Sequence, residues 1–400
     1  MAQPFSKLPL TRARGLNLDI DGWLRGIGLE QYAQTFRDNA IDADVLCKAI
    51  GEPPEDPLLL FLLLTGYVVA NGVAGNVEAC RDIAISVLGL AEKQQASAPL
   101  VLGHICVGYS LLLGGEITEG KAHLDQTIAL YDPAEHRLLH FGIDPRVSAL
   151  VWRSNALWML GHPEAARADA DRAVKEARAI GHAPSLMIAL SIADFTHMLC
   201  GNYAAGSDCI GELVALADEI DGAFWKLTGA AIRGRHLALI GNAANSIPLM
   251  ISTRNAYEAT GKNFLAPLDL AILGSTHAVL GKFDDARPYV ADAMNSIETN
   301  KEKWFEAEVN RVAGEIALKS PAPHTAKAEG YFDRALAVAR QQQQKSYELR
   351  AATSLARLWR SQGKVQQARE LLAPVYGWFT EGFDTLDLKE AKALLEELAA

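Results

Sequence analysis

The sequence predicts an all-α protein, a right-handed superhelical solenoid of about eight helical hairpins. Three observations predict it. The chain is rich in alanine and leucine and poor in aromatics, and those two residues lose least on entering a helix. Glycines recur at a fixed interval. No sustained apolar/polar alternation with tight hairpin turns competes as a strand signal; Asn71-Gly72 and Asp221-Gly222 each sit beside a helical pattern.

The glycine interval is the main signal. Gly75, Gly115, Gly161, Gly201, Gly241 and Gly281 are separated by 40, 46, 40, 40 and 40 residues, and Gly363 lies 82 further on, two periods away. The missing turn falls at Ser320-Pro321-Ala322-Pro323, where two prolines break a helix. Five residues after each glycine stands a small residue: Cys80, Gly120, Ala166, Gly206, Ser246, Ala286 or Ala368. Four further on stands an apolar or small one: Ala84, Leu124, Ala170, Ile210, Met250, Val290 or Leu372. That spacing puts both on one helix face. Each unit therefore reads as a hairpin whose glycine ends the first helix in a left-handed conformation. The small residue lets the second helix pack closely. One hairpin cannot bury its apolar faces alone, so neighbours stack, over roughly residues 53–380. A last helix is expected at 388–398, with Asp387 and Glu390 as a capping-box-like start, closing the array.

Gly281-Lys282-Phe283-Asp284-Asp285-Ala286 resembles the tetratricopeptide signature, and Gly201-Asn202-Tyr203 with Gly206 resembles it too. Three longer stretches point more narrowly: Tyr131-Asp132-Pro133-Ala134-Glu135-His136-Arg137, Ser346-Tyr347-Glu348-Leu349-Arg350-Ala351-Ala352, and the segment from Tyr376-Gly377-Trp378-Phe379 to Asp384-Thr385. Together they look like the C-terminal repeat region of bacterial class III adenylate/guanylate cyclase–ATPase fusion proteins. Near the start, Ile20-Asp21-Gly22-Trp23-Leu24, Ile27-Gly28-Leu29, Tyr32, Phe36, Asn39 and Ile41-Asp42 resemble the first half of a SAM domain. The resemblance implies two parts: a truncated SAM-like segment at 1–52 and a tetratricopeptide-like repeat domain at 53–400. It also implies the two ends of a cyclase fusion with its middle absent. The metal-binding aspartates of a cyclase and the nucleotide loop of an ATPase have no counterpart here.

Composition narrows the function classes. The net charge of −10 argues against nucleic acid as the main partner, because phosphate binding needs a surplus of Lys and Arg. It also disfavours anionic membranes. Five scattered cysteines, Cys47, Cys80, Cys106, Cys200 and Cys209, contain no CxxC pair, which fits a reducing cytoplasm rather than a disulfide framework. The apolar run at 58–70 is too short to span a bilayer and reads as a buried helix.

No constellation specifies catalysis, a metal or a cofactor. Gly115-Glu116-Ile117-Thr118-Glu119-Gly120-Lys121-Ala122 mimics a phosphate loop, but lacks the Ser or Thr that holds magnesium and the strand before it. It reads as a repeat turn. His136 and His140 share helical spacing without a third ligand; Asp132 and Glu135 read as acids at a helix start. Asp384 and Asp387 lack a neighbouring nucleophile or electrophile. The run 341–344 of glutamines reads as a polar helix face or end. What remains is aromatic and basic. Trp152, Arg153 and Trp158 fall on one predicted first helix, Trp225, Arg233, Arg235 and His236 on another, and Trp304, Glu308 and Arg311 on a third. First helices line the concave face of such solenoids, and Arg and Trp are enriched at binding hot spots. The expected binding groove is therefore Trp152, Arg153, Arg233, Arg235, His236, Trp304, Glu308 and Arg311, with Trp158 and Trp225 also able to pack between hairpins.

The expected function is a non-catalytic interaction or regulatory scaffold in cytoplasmic signal transduction, needing no cofactor and binding a protein such as a cyclase/ATPase signalling protein in trans. The alternatives are a small-molecule-sensing repeat domain, or the remnant of a cyclase fusion without its activity.

Overall fold

The computed structural model describes residues 57–94, 96–137 and 143–399. The expected SAM-like segment at 1–52 and His140 lie outside these residues. No β-strand occurs among them. Eight hairpins follow one another. They are α1 (Pro57–Ala74) with α2 (Val77–Gln94), α3 (Ser97–Gly114) with α4 (Ile117–Leu130), and, after the short α5 (Pro133–His136), α6 (Pro145–Met159) with α7 (Pro163–Ile180). Then come α8 (Ala183–Leu199) with α9 (Tyr203–Glu219), α10 (Ala223–Leu239) with α11 (Ala243–Ala259), and α12 (Ala266–Val279) with α13 (Phe283–Asn300). The last two are α14 (Glu306–Lys319) with α15 (Thr325–Gln341), and α16 (Lys345–Ser361) with α17 (Val365–Tyr376), before a closing α18 (Leu386–Glu397).

Each predicted turn glycine sits at positive φ, between 73° and 92°. The hydrogen bonding explains why. At the second turn, Gly115 N–H donates to Leu112 O (3.0 Å) and Glu116 N–H to Leu111 O (2.9 Å), and Gly161, Gly201, Gly241, Gly281 and Gly363 repeat the pattern. Paired bonds of this kind satisfy the last carbonyls of the first helix and need a left-handed residue at the junction. Cys80, Ala166, Ser246, Ala286 and Ala368 are fully or almost fully buried, as are Ala84, Leu124, Ala170 and Leu372 four residues later. Gly120 makes the packing reason explicit: an added Cβ would lie 3.0 Å from the carbonyl oxygen of Gly108 in the helix opposite. The phosphate-loop mimic is thus a repeat turn. The turn that lacks the glycine, between α14 and α15, falls at the predicted prolines.

The capping-box expectation for α18 is corrected. Thr385 is the N-cap, with no side-chain cap bond, and Asp387 instead accepts from Arg350 Nε at 2.9 Å. The glutamine run is also more than a polar end. Gln344 is fully buried and donates to Trp304 O at 2.8 Å. Among the described residues one helix, Ser97–Gly114, is long and apolar enough by length and composition to cross a membrane, and 72% of it is buried against its neighbours.

The array coils back on itself. Asn263 and Phe264 N–H both donate to Val73 O (2.9 and 3.0 Å), so the turn of hairpin 1 docks at the start of hairpin 6. Lys303 N–H donates to Leu113 O (2.8 Å), joining turn 2 to the start of hairpin 7. Ser346 Oγ donates to Trp158 O, joining turn 3 to hairpin 8. Arg350 Nη2 donates to Leu199 O (3.1 Å) and Gly201 packs on Leu386, joining turn 4 to hairpin 8 and the closing helix. Five hairpins therefore complete one superhelical turn. Near the seam, Glu381 accepts from the N–H groups of Glu164 and Ala165, capping α7, and Arg167 forks onto Asp384.

The seam separates two otherwise equivalent glycines. A Cβ on Gly161 would lie 2.4 Å from the Trp378 ring and 2.8 Å from Lys345 Cβ, whereas at Gly241 it would meet nothing within 4 Å. Both carry positive φ, which costs an L-residue roughly 1–2 kcal/mol. Gly241→Ala is expected to lose about that much, and Gly161→Ala clearly more. Denaturant unfolding of the two variants checks this; equal losses would contradict a closed seam.

Candidate functional site

Coiling brings the first helices of the early hairpins against the inter-hairpin loops of the later ones. Between them lies a cavity of about 260 Å³. Val68, Tyr109, Trp152, Phe195 and Ile232 contribute from α1, α3, α6, α8 and α10, while Phe264 and Trp304 contribute from the loops before α12 and α14. The aromatic side chains interlock. Trp152 contacts Tyr109 (centroids 4.8 Å apart), Phe264 (6.1 Å) and Trp304 (6.1 Å), and Phe264 stacks on Trp304 (6.1 Å). Such pairs contribute beyond the area they bury.

Trp304 is held by its own loop. It is 1% exposed, and its indole N–H donates to Glu302 Oε1 at 2.9 Å. Glu302 is fully buried and also accepts from Leu265 N–H. Burial pushes this carboxyl up to about 7, against the two donors that favour its charged form.

Polar groups are few and placed at the edges. Arg235 is buried and Nη1 donates to Asp269 Oδ1 at 2.9 Å. Lys262 Nζ lies 3.8 Å from the Tyr257 ring centroid and 5.1 Å from that of Phe224, a double cation–π contact. Burial, together with the nearby cations Arg235 and Arg254, holds its ammonium down at about 8. Asn155 is 1% exposed; its Oδ1 accepts from Thr196 (3.1 Å), while its Nδ2 has no partner.

Of the eight residues expected to form a groove, Trp152, Arg235 and Trp304 line this cavity, as does Trp225. The structure places the others elsewhere. Arg153 forks onto Asp169 (2.6 and 2.9 Å) and reaches Asp125 (2.8 Å). Arg233 is exposed. His236 packs edge-on against Tyr203, and burial lowers its imidazole's affinity for a proton. Glu308 and Arg311 bond each other twice at 2.8 Å, in a half-buried cluster with Arg350 that holds the Glu308 carboxyl down at about 2 against the desolvation that raises it. Trp158 packs edge-on against Tyr347 at the seam. His136 is 1% exposed, with Nδ1 accepting from Asp132 N–H and Nε2 bonded to Ser97 Oγ, so both ring nitrogens are taken. Among the described residues no group of three His, Cys, Asp or Glu side chains could hold a metal ion.

Behind the wall stands Asp194, 3% exposed, its Oδ1 unpartnered. Burial pushes its carboxyl up to about 7, with Arg235 pulling weakly the other way. A raised folded pKa stabilises below the ordinary value, and the contribution is lost as pH rises through the folded one. Stability should therefore fall between pH 4 and 8, with Glu302 acting in the same direction. Asp194→Asn is expected to flatten that fall and raise the melting temperature at pH 8, read by thermal unfolding at pH 5 and pH 8.

No family model matches the chain, and no curated protein matches it. Solved structures do. The chain is similar to a Rap protein complexed with Competence and Sporulation Factor, with a TM-score of 0.57, 10% identity, and coverage of 92% of this chain and 96% of that one. A looser likeness is to aspartyl phosphate phosphatase F from Bacillus subtilis, with a TM-score of 0.49, 13% identity, and coverage of 90% and 93%. Another is to a tetratricopeptide repeat protein from Parabacteroides merdae, with a TM-score of 0.40, 13% identity, and coverage of 71% and 99%. At such identities the likeness is one of fold. The hairpin geometry and the first of these comparisons define the class: an all-α, tetratricopeptide-like repeat solenoid.

Proposed function

We propose that this chain is a non-catalytic interaction scaffold in cytoplasmic signal transduction, and that it receives a protein partner on the turns of hairpins 5 and 6. One observation carries the reading. The two residues before the turn glycine are apolar at each of turns 3 to 6 but differ in exposure. Met159, Leu199 and Cys200, at turns 3 and 4, are at most 5% exposed, and Leu160 is half-buried, because later hairpins cover them. Leu239 and Ile240 are 40% and 52% exposed, and Val279 and Leu280 are 64% and 45%. Two adjacent apolar turns without a cover form the kind of patch that marks an interaction site. The Rap protein of similar fold is complexed with its Competence and Sporulation Factor, which lends support to a binding role here. The resemblance of the repeats to cyclase–ATPase fusion tails suggests a cyclase/ATPase signalling protein as the partner, acting in trans.

The test is a pull-down from lysate of the source organism, read by mass spectrometry, comparing wild type with Ile240→Asp/Leu280→Asp. Both substituted positions are exposed, so the melting temperature should hold. A partner retained by wild type and lost by the variant supports the proposal; an identical set from both overturns it.

A further inference from the structure

We propose that the aromatic cavity binds a small organic monoanion, a carboxylate carrying an aromatic body, with Lys262 holding the carboxylate and Trp152, Phe264 and Trp304 enclosing the ring. The site is separate from the exposed turns and stands or falls independently of them.

Three observations converge. The first is shape. An apolar, aromatic-rich wall with a few polar groups is the usual make-up of a ligand pocket, and about 260 Å³ is a little below the range of drug-sized sites. That suits a metabolite-sized molecule. The second is charge. Lys262 has no carboxylate within ion-pair distance among the described residues, and its ammonium rests on two rings instead. Asp269, the one acid whose charge acts on it, is bonded to Arg235. Arg254, also close, is committed to Glu258 and Asn263. A cation kept in an apolar site without a counter-ion is costly, and an anionic ligand removes that cost. The third is the unsatisfied donor. Asn155 Nδ2 is buried at the wall with no partner, although native interiors leave few such groups. A bound oxygen atom would complete it. Phe224, half exposed, marks the mouth next to Lys262.

The probe is 3-phenylpropionate, with 3-phenylpropanamide as its neutral isostere, titrated into the whole chain while tryptophan fluorescence is read. Trp152, Trp225 and Trp304 all line the cavity, so occupancy should change the signal. The acid is expected to bind at least tenfold more tightly than the amide, and Lys262→Met to remove that preference without lowering the melting temperature. Ser191 also lines the cavity, so Ser191→Phe, which fills space without touching Lys262, is expected to block binding by a second route. A tetrapeptide ending in phenylalanine shares the carboxylate and ring but exceeds the volume, and should bind more weakly than the free acid. Equal binding of acid and amide, no fluorescence change at millimolar acid, or tighter binding of the tetrapeptide would each overturn the proposal.

Discussion

Trp304→Ala is expected to cost about 3–5 kcal/mol of folding stability, the range for removing a large buried aromatic. The indole is 1% exposed and touches Trp152, Phe264, Phe305 and Phe195, with centroids 4.4 to 6.5 Å away. Those neighbours come from both ends of the superhelical turn, so they cannot collapse together without opening the seam. Alanine also removes the indole donor from buried Glu302, which keeps only Leu265 N–H, and a lost bond to a buried acceptor adds to the loss. Chemical denaturation measures the effect. Trp304→Phe, which keeps most of the contact but not the N–H, should fall between alanine and wild type. A loss below about 1 kcal/mol for alanine would contradict the central position given to this residue.

Arg350→Met is expected to cost about 1–3 kcal/mol, because removing one partner of a half-buried ion pair leaves the other without its charged donor. Arg350 bonds Asp387 (2.9 Å), lies 3.7 Å from Glu308, donates to Leu199 O across the seam, and stacks 4.7 Å above Trp158. Glu308 keeps Arg311 as a partner; Asp387 keeps none of comparable quality. Arg350→Met/Asp387→Leu should therefore recover much of the loss, since a matched apolar pair avoids the stranded charge. A double variant as unstable as the single would mean that the bond to Leu199, rather than the ion pair, carries the stability.

Much of this fold was legible in the sequence because a hairpin's requirements are local. A left-handed residue must end the first helix, and a small one must begin the close approach. Gly75 to Gly363 and Cys80 to Ala368 recorded both. The coiling was harder to see, since it depends on residues about 190 positions apart. Its traces were nevertheless present. Two of the longer stretches singled out beyond the repeat signature, 346–352 and 376–385, contain residues that join the seam: Ser346 to Trp158, Arg350 to Leu199, Trp378 to Gly161, Asp384 to Arg167. Their distinctiveness is that of contacts made once, between different hairpins.

The cavity was half visible. Trp152, Arg235 and Trp304 stood out as residue types suited to binding. Lys262, Asn155 and Phe264 did not, because a loop lysine, a helical asparagine and a lone phenylalanine carry no pattern by themselves. A signal did exist. Phe264 and Trp304 are one 40-residue period apart, as are Lys262 and Glu302, so the repeat extends into the loops that line the cavity. Arg153 and Arg311 matched the expected chemistry but had acidic neighbours on adjacent helix turns or hairpins, which neutralise them.

The closed superhelix is tested most directly by a crosslink across the seam. Thr118 and Gln343 are 225 residues apart, and their side chains bond at 2.6 Å. With both replaced by cysteine and the chain treated with a short bismaleimide, an intramolecular crosslink between the two positions is expected, formed at high dilution and identified by mass spectrometry. Its absence, with each thiol instead labelled singly, would show an open solenoid and contradict both the seam and the cavity it encloses.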